Sequence, residues 1–241
     1  MTSVLAVIPA RYAATRFPGK PLATLWGKPM LQHVFERARA ASGIDALVIA
    51  TDDERIADAA RRFGAEIEMT GSGLTSGTDR VAEVARRRPS FGLVLNLQGD
   101  EPELDTEAVG RLTQVMRDDD SIQMGTLAHR EDEASTLAAD DVVKVVVDGS
   151  GFALYFSRAD IARGSRGGPA LRHVGVYGFR RDLLLAFSAW PASDLEKAER
   201  LEQLRALEHG VKIKVVTGSK AFAGVDTPEQ LEALERRGPQ G

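Results

Sequence analysis

An apolar run that delivers a loop of fixed cations narrows the possible folds of this chain more than any other feature. Val4-Leu5-Ala6-Val7-Ile8 is short, continuously apolar and rich in branched residues, the pattern of a central parallel strand buried on both faces. It leads into Pro9-Ala10-Arg11-Tyr12-Ala13-Ala14-Thr15-Arg16-Phe17-Pro18-Gly19-Lys20-Pro21-Leu22. Arg11, Arg16 and Lys20 therefore stand at the carboxyl end of that strand, the edge at which open α/β sheets bind their ligands. Pro9, Pro18 and Pro21 restrict the loop's φ angles, so the charges are held in place. Forked guanidinium donors beside a compact ammonium suit a polyanion such as a triphosphate.

The rest of the first half alternates between strand and helix patterns. Strands are expected over residues 46–50, 66–69 and 93–97, with helices over about 29–41, 54–63 and 78–88. This βαβ succession predicts an α/β fold with a doubly wound, mostly parallel sheet and right-handed crossovers. The second half changes character. Residues 141–148 and 152–157 flank Gly149-Ser150-Gly151, which predicts a β-hairpin or arch. No linker-like tract separates this region, so the chain is expected to form one domain over 1–241, with roughly 141–180 as an inserted β-rich subdomain.

Composition sets the outer limits. A chain of 241 residues, 43% of them apolar, can bury a large single core. A net charge of -4 with interspersed signs leaves no footprint for nucleic acid. The chain has no cysteine, which removes disulfides, thiolate nucleophiles and cysteine-ligated metals. No run of about 18 apolar residues and no secretory signal pattern is present, so a cytoplasmic enzyme without a membrane span is expected.

The strand over 93–97 runs into Gln98-Gly99-Asp100-Glu101-Pro102, which puts acids at the same edge as the basic loop. Carboxylates beside a phosphate loop suggest magnesium, which takes oxygen ligands from one or two carboxylates, water and substrate phosphates. The plainer alternative is that Asp100 or Glu101 caps a helix beginning near Asp105, although Gly99 would let the backbone approach a ligand closely. Asp226, in Gly224-Val225-Asp226-Thr227-Pro228, reads locally as the N-cap of a helix carrying Leu231 and Leu234. Ser76 or Thr78 likewise reads as a cap, before a helix whose apolar face includes Val81 and Val84. Ser193-Asp194-Leu195-Glu196 is a capping box, and the helix after it should bury Leu201, Leu204 and Leu207. His173 and Tyr177 are four apart and share one face of a strand. Arg158, at the end of Tyr155-Phe156-Ser157-Arg158, is placed to fork onto a carboxylate.

Together, Pro9-Ala10-Arg11 through Pro18-Gly19-Lys20-Pro21-Leu22, Gly27-Lys28-Pro29-Met30, Ala50-Thr51-Asp52-Asp53, Ser76-Gly77-Thr78-Asp79-Arg80, Asn96-Leu97-Gln98-Gly99-Asp100-Glu101-Pro102, Arg172-His173-Val174-Gly175-Val176-Tyr177, Leu201-Glu202-Gln203-Leu204-Arg205 and Gly224-Val225-Asp226-Thr227-Pro228 resemble the blocks of the CMP-3-deoxy-manno-octulosonate (Kdo) synthetases, in family order and nearly end to end. The resemblance implies the nucleotide-diphospho-sugar transferase type of sheet. It also implies transfer of CMP from CTP to the anomeric hydroxyl of Kdo, with release of pyrophosphate, for lipopolysaccharide biosynthesis, by a homodimer using Mg2+. It assigns Asp100 and Asp226 to the metal and Arg11, Arg16 and Lys20 to the triphosphate. Ala10, Ser76, Gly77, Arg80 and Gln98 go to the nucleotide's surroundings; Arg158, His173, Tyr177, Glu202 and Gln203 go to the sugar acid.

One segment departs from the family pattern. Ile161-Ala162-Arg163-Gly164-Ser165-Arg166-Gly167-Gly168-Pro169 is glycine-rich and lacks the family's Ile-Pro and Arg-Asp pairs, which leaves room for a modified octulosonate or another keto-acid sugar as acceptor. Three alternatives stand beside the main reading. A sugar-1-phosphate nucleotidyltransferase would open with a glycine-rich loop, and a CMP-sialate synthetase fits Pro18-Gly19-Lys20-Pro21-Leu22 less well. A non-catalytic CTP-binding regulator would not need Asp100, Asp226 and Lys20 together.

Overall fold

Val4–Ala10 (β1) occupies the middle of a mixed sheet in a computed structural model that describes residues 2–13, 17–130, 142–161, 171–218 and 224–239. It pairs in parallel with Ala46–Thr51 (β4) on one side and Leu93–Asn96 (β6) on the other. Its side chains alternate between two cores. Val4, Ala6, Ile8 and Ala10 join one apolar cluster, Leu5 and Val7 the other. Each such Val, Leu or Ile, fully removed from water, contributes roughly 1.5–3 kcal/mol.

Helices cover both faces. Met30–Ala40 (α1), Glu54–Arg62 (α2) and Thr106–Asp118 (α4) supply Leu31, Val34, Ile56, Val109 and Leu112 to the first core. Gly77–Arg87 (α3), Arg181–Phe187 (α5) and Gln203–Glu208 (α7) supply Val81, Val84, Leu184, Phe187 and Leu204 to the second. With Glu66–Met69 (β5), Met124–His129 (β7), Leu171–Arg180 (β10) and Ile213–Gly218 (β11), the strand order is β11-β7-β10-β6-β1-β4-β5. This is the expected α/β class, with one qualification. β10 runs antiparallel to both β6 and β7 in the middle of the sheet, whereas β1–β4, β1–β6, β4–β5 and β7–β11 are parallel.

β10 is irregular where it matters. Its register against β7 shifts between Val174 and Tyr177, and the bulge contains Gly175. A Cβ on Gly175 would lie 3.1 Å from Gln98 Cγ, so a side chain there would press on the loop after β6. Lys144–Val147 (β8) and Ala153–Ser157 (β9) form the expected hairpin, and β8 also pairs with the start of β10. Asp148 closes the hairpin turn by accepting from the backbone N–H of Ser150 and of Phe152, at 2.8 and 2.9 Å.

Two local expectations are corrected. The leucine stripe after the capping box is not one helix. The Ser193 capping box does start a helix, Asp194–Glu199 (α6), but Arg200 adopts the left-handed conformation at φ 56° and α7 begins only at Gln203. α6 buries none of its residues, so no apolar stripe holds it in line with α7. Asp226 is not a cap. Thr227 caps Pro228–Arg237 (α8) in a box with Gln230, which leaves the Asp226 carboxylate available elsewhere.

Candidate active site

Three segments converge at the carboxyl end of β1. Pro9 sits between two glycines: a Cβ on Gly77 would lie 3.3 Å from Pro9 Cγ, and one on Gly99 would lie 3.0 Å from the Pro9 carbonyl oxygen. Gly99 thus permits a close approach to the chain's own backbone, and it also lines the cleft. This convergence leaves a cleft of about 170 Å³ lined by Ala10, Arg11, Lys20, Gly77, Gln98 and Asp100, among others. Arg11 and Gly77 also line a neighbouring space of about 620 Å³, bounded by Ser76, Glu202, Arg205 and Trp190. Arg11 is exposed, lines both spaces and donates from Nη1 to the Thr75 carbonyl at 2.9 Å. Ser76 caps α3 reciprocally with Asp79.

The basic loop meets both acids. Lys20 Nζ lies 2.7 Å from Asp100 Oδ2 and 3.2 Å from Asp226 Oδ1. The loop reaches them through a short turn, Lys20–Leu22, that follows Gly19 at φ 73° and buries Pro21. Asp226 is delivered by α8, which a separate apolar cluster of Leu25, Met30, Val225 and Leu234 fastens to the basic segment, with Phe17, Trp26 and Leu231 packed around it. The Val225 N–H donates to the Asp100 carbonyl at 2.9 Å, so the two acid-bearing segments are joined through backbone as well.

Asp100 and Asp226 offer carboxylate oxygens only, the hard donors that magnesium prefers. Among the described residues no group of three or more His, Cys, Asp or Glu side chains is arranged to hold a metal by itself. Any ion here would draw its remaining ligands from water and substrate phosphates, as magnesium commonly does.

The second wall carries titratable groups whose surroundings disfavour their charged forms. Burial raises the Glu101 carboxyl to about 8, with the neighbouring Asp100 carboxylate adding to the effect, and Glu101 Oε2 has no hydrogen-bond partner among the described residues. Burial also raises Tyr177 well above the usual phenol range, reinforced by Glu202 and Glu101, so it remains a hydroxyl donor. His173 is pushed down to about 3 by burial. It shares a hydrogen bond with Thr126 Oγ1 at 3.0 Å, and its ring centroid is 5.5 Å from that of Tyr177, so the two do lie on one face despite the bulge. Glu202 is likewise raised by burial; its Oε2 accepts from Thr78 Oγ1 at 2.5 Å, and Thr78 in turn accepts from Asn96 Nδ2 at 3.2 Å.

The structure thus brings together Ala10, Arg11, Lys20, Gly77, Gln98, Asp100 and Asp226 at the cleft, with Ser76 and Glu202 beside it. Gln203 is buried, with Nε2 unpartnered among the described residues. Arg158 follows β9, its N–H donating to Glu199 at 3.3 Å. Arg16 lies outside the described residues, as does most of the glycine-rich departure. Arg80 is fully buried, pairs with Asp52 at 3.0 Å and bonds Thr70. Sequence reasoning missed Glu101, Thr78 and Glu199 as parts of the site. Glu199 accepts from Tyr155 and Ser157 hydroxyls as well as the Arg158 N–H, which braces the end of β9. Only Glu101 had a signal, its place beside Asp100.

The chain is similar to known proteins over nearly its whole length. The cytidylyltransferase family profile matches residues 5–213. A 3-deoxy-manno-octulosonate cytidylyltransferase of Anaeromyxobacter sp. (strain Fw109-5) is 50% identical over 247 residues, covering all of both chains. One from Solibacter usitatus is 47% identical over 236 residues, covering 97% of this chain and 93% of the relative. A solved CMP:2-keto-3-deoxy-manno-octonic acid synthetase complexed with CTP superposes with a TM-score of 0.92 at 43% identity, covering 98% of each chain. A 4-diphosphocytidyl-2C-methyl-D-erythritol synthase from Anaerococcus prevotii shares the fold at 15% identity and a TM-score of 0.66, over 98% of this chain and 96% of its own. The chain belongs to the CMP-Kdo synthetase family of cytidylyltransferases.

Proposed function

We propose that this protein transfers CMP from CTP to the anomeric hydroxyl of 3-deoxy-manno-octulosonate, forming CMP-Kdo and pyrophosphate. The observation that carries this reading is the meeting of Lys20, Asp100 and Asp226 beside the cleft walled by Ala10, Arg11, Gly77 and Gln98. The sugar oxygen attacks the α-phosphorus, the bond from that phosphorus to the bridging oxygen breaks, and the electron pair leaves with pyrophosphate while the hydroxyl loses its proton. Little of this needs covalent help; it needs alignment and cations.

Arg11 and Lys20 neutralise the triphosphate, and the Gln98 amide offers both donor and acceptor to the cytosine edge. Tyr177, Glu202 and Gln203 present neutral or protonatable hydrogen-bonding groups to sugar hydroxyls. Arg158 faces the sugar's carboxylate in this reading. Asp100 and Asp226 would hold Mg2+, which when bound supplies charge neutralisation on the phosphates and acidifies the acceptor hydroxyl. Glu101, largely uncharged beside them, adds little repulsion near neutral pH.

The decisive assay is pyrophosphate release with CTP against Kdo, an amino-substituted octulosonate, sialic acid and a sugar-1-phosphate, each with and without Mg2+. Release with Kdo and Mg2+ alone is expected. Preference for another acceptor would reassign the sugar, and CTP binding without release would leave a regulator. The proposal extends to a role in lipopolysaccharide biosynthesis, a cytoplasmic setting and a homodimer, the last testable by light scattering on the purified chain. No helix among the described residues is long and apolar enough to cross a membrane.

A further inference from the structure

We propose that the Lys20 ammonium is a resident counterion for Asp100 and Asp226 that holds a divalent cation off the two carboxylates until a triphosphate draws it away. This rests on the nucleotide-transfer reading above and adds an order of assembly to it: metal and nucleotide enter together, and metal alone binds poorly.

The contacts place one cation between the two acids. Lys20 Nζ reaches Asp100 Oδ2 at 2.7 Å and Asp226 Oδ1 at 3.2 Å. The lysine side chain is only 14% exposed, against 28% for Asp100 and 53% for Asp226, so both carboxylates keep more contact with water than the lysine does. A divalent ion bridging the same carboxylates would stand against that ammonium and be repelled by it.

The surrounding frame makes this a side-chain switch. Lys20 begins a turn whose backbone is fixed by Gly19 and by buried Pro21. Asp226 is fastened to the same region through the cluster of Leu25, Met30, Val225 and Leu234, and to Asp100 through the Val225 N–H. What remains movable is the flexible lysine stem, which carries a compact charge that can turn to another anion. The cleft lined by Lys20, Arg11, Gln98 and Asp100 is where a triphosphate would offer that anion. Lysine leaving the acids strengthens the metal site, and metal arriving frees lysine for phosphate. By linkage, each then favours the other by the same factor.

The test uses Mn2+ as the probe, with free Mn2+ read by electron paramagnetic resonance and no nucleotide present. Wild type should bind weakly, and Lys20→Gln should bind at least about tenfold more tightly, a modest coupling for two linked sites. Lys20→Arg keeps the cation and should bind no better than wild type. Adding Asp226→Asn to Lys20→Gln should remove the gain. A Lys20→Gln affinity equal to or below wild type would overturn the proposal. On the unmodified protein, a non-hydrolysable α,β-methylene CTP should raise Mn2+ affinity at least about tenfold beyond what the analogue binds in solution; no such rise would overturn it even if Lys20→Gln does not fold. Failure of that analogue to bind wild type at all would instead count against the nucleotide-transfer reading, while the nucleotide-free comparison would still decide the lysine's role.

Discussion

The cleft at the end of β1 and the wall formed by β10 with α7 are built on opposite principles. The cleft is made by backbones: Gly77 and Gly99 let two segments close on Pro9, and its charges point outward from stiff turns. The wall is made by side chains: Thr78 donating to Glu202, Asn96 donating to Thr78, and His173 hydrogen-bonded to Thr126, in surroundings that disfavour charge on Glu202 and His173. A polyanion needs the first kind of surface, because backbone turns already in place carry the cations to it and only side-chain tips need move. A polyhydroxylated sugar needs the second, because buried unpaired donors and acceptors discriminate sharply between partners that do and do not match them.

The largest effect should come from the acids where the two regions meet. Asp100→Asn and Asp226→Asn should each lower kcat by about 10³-fold, near 4 kcal/mol of transition-state stabilisation, with CTP dissociation changed less than about tenfold. Steady-state kinetics with isothermal titration separates the two quantities, and equal losses in both would assign the acids to nucleotide binding alone. Next is Glu202→Ala, which leaves the Thr78 hydroxyl without its partner. It should cost about 1–3 kcal/mol in kcat/KM for the acceptor, roughly 5- to 150-fold, with the KM for CTP unchanged. A matching rise in the KM for CTP would dissolve the division between cleft and wall.

Gly99→Ala probes the cleft from its backbone side. The new Cβ would sit 3.0 Å from the Pro9 carbonyl oxygen, so a backbone must shift, at about 1–3 kcal/mol of stability. Thermal unfolding should fall by about 2–4 °C per kcal/mol, and the KM for CTP should rise while that for the acceptor stays. A variant as stable as wild type would mean that the contact at Pro9 does not set the cleft.

How much of this the sequence disclosed follows the same division. The parallel half was legible because its signals are local: a continuous apolar run for β1, the cap at Ser76, and glycines beside strand ends, although the structure caps α4 with Asp105 rather than with Asp100 or Glu101. Lys20, Asp100 and Asp226 come from segments far apart in sequence, and the resemblance supplied what spacing alone did not. The reversed direction of β10 has no local mark, since a strand buried on both faces reads alike in either sense. The burial of Arg80 against Asp52 also had no local mark, since its block was read for the cap at Ser76 and the partner lies on another segment. The break at Arg200 was invisible because arginine is not a residue that advertises a left-handed turn.

His173 gives a pH signature peculiar to the wall. Its pKa falls from about 6.5 when unfolded to about 3 in the fold, so folding disfavours the charged ring. That contribution to stability is complete above about pH 6.5 and is lost as the pH falls below it, at up to about 1.4 kcal/mol per unit, levelling off near pH 3. Urea unfolding at pH 7.5 and pH 5.5 should show a smaller decline for His173→Asn than for wild type. An identical decline would mean the ring is reached by water.

The smallest expected effect tests whether the turn that presents Glu202 and Gln203 is under strain. Arg200 holds φ 56° between α6 and α7, a conformation that costs an L-residue with a Cβ roughly 1–2 kcal/mol. Arg200→Gly removes that cost but makes the unfolded chain more flexible, by about 0.4–1 kcal/mol. The net gain should be near 0.5 kcal/mol, a rise of about 1–2 °C in thermal midpoint by differential scanning calorimetry. The direction is the informative part. A fall would mean that the Arg200 side chain, which lines the space beside Ser76 and Glu202, stabilises the wall by more than its backbone strains it, and the acceptor side would then depend on a surface charge as the nucleotide side does.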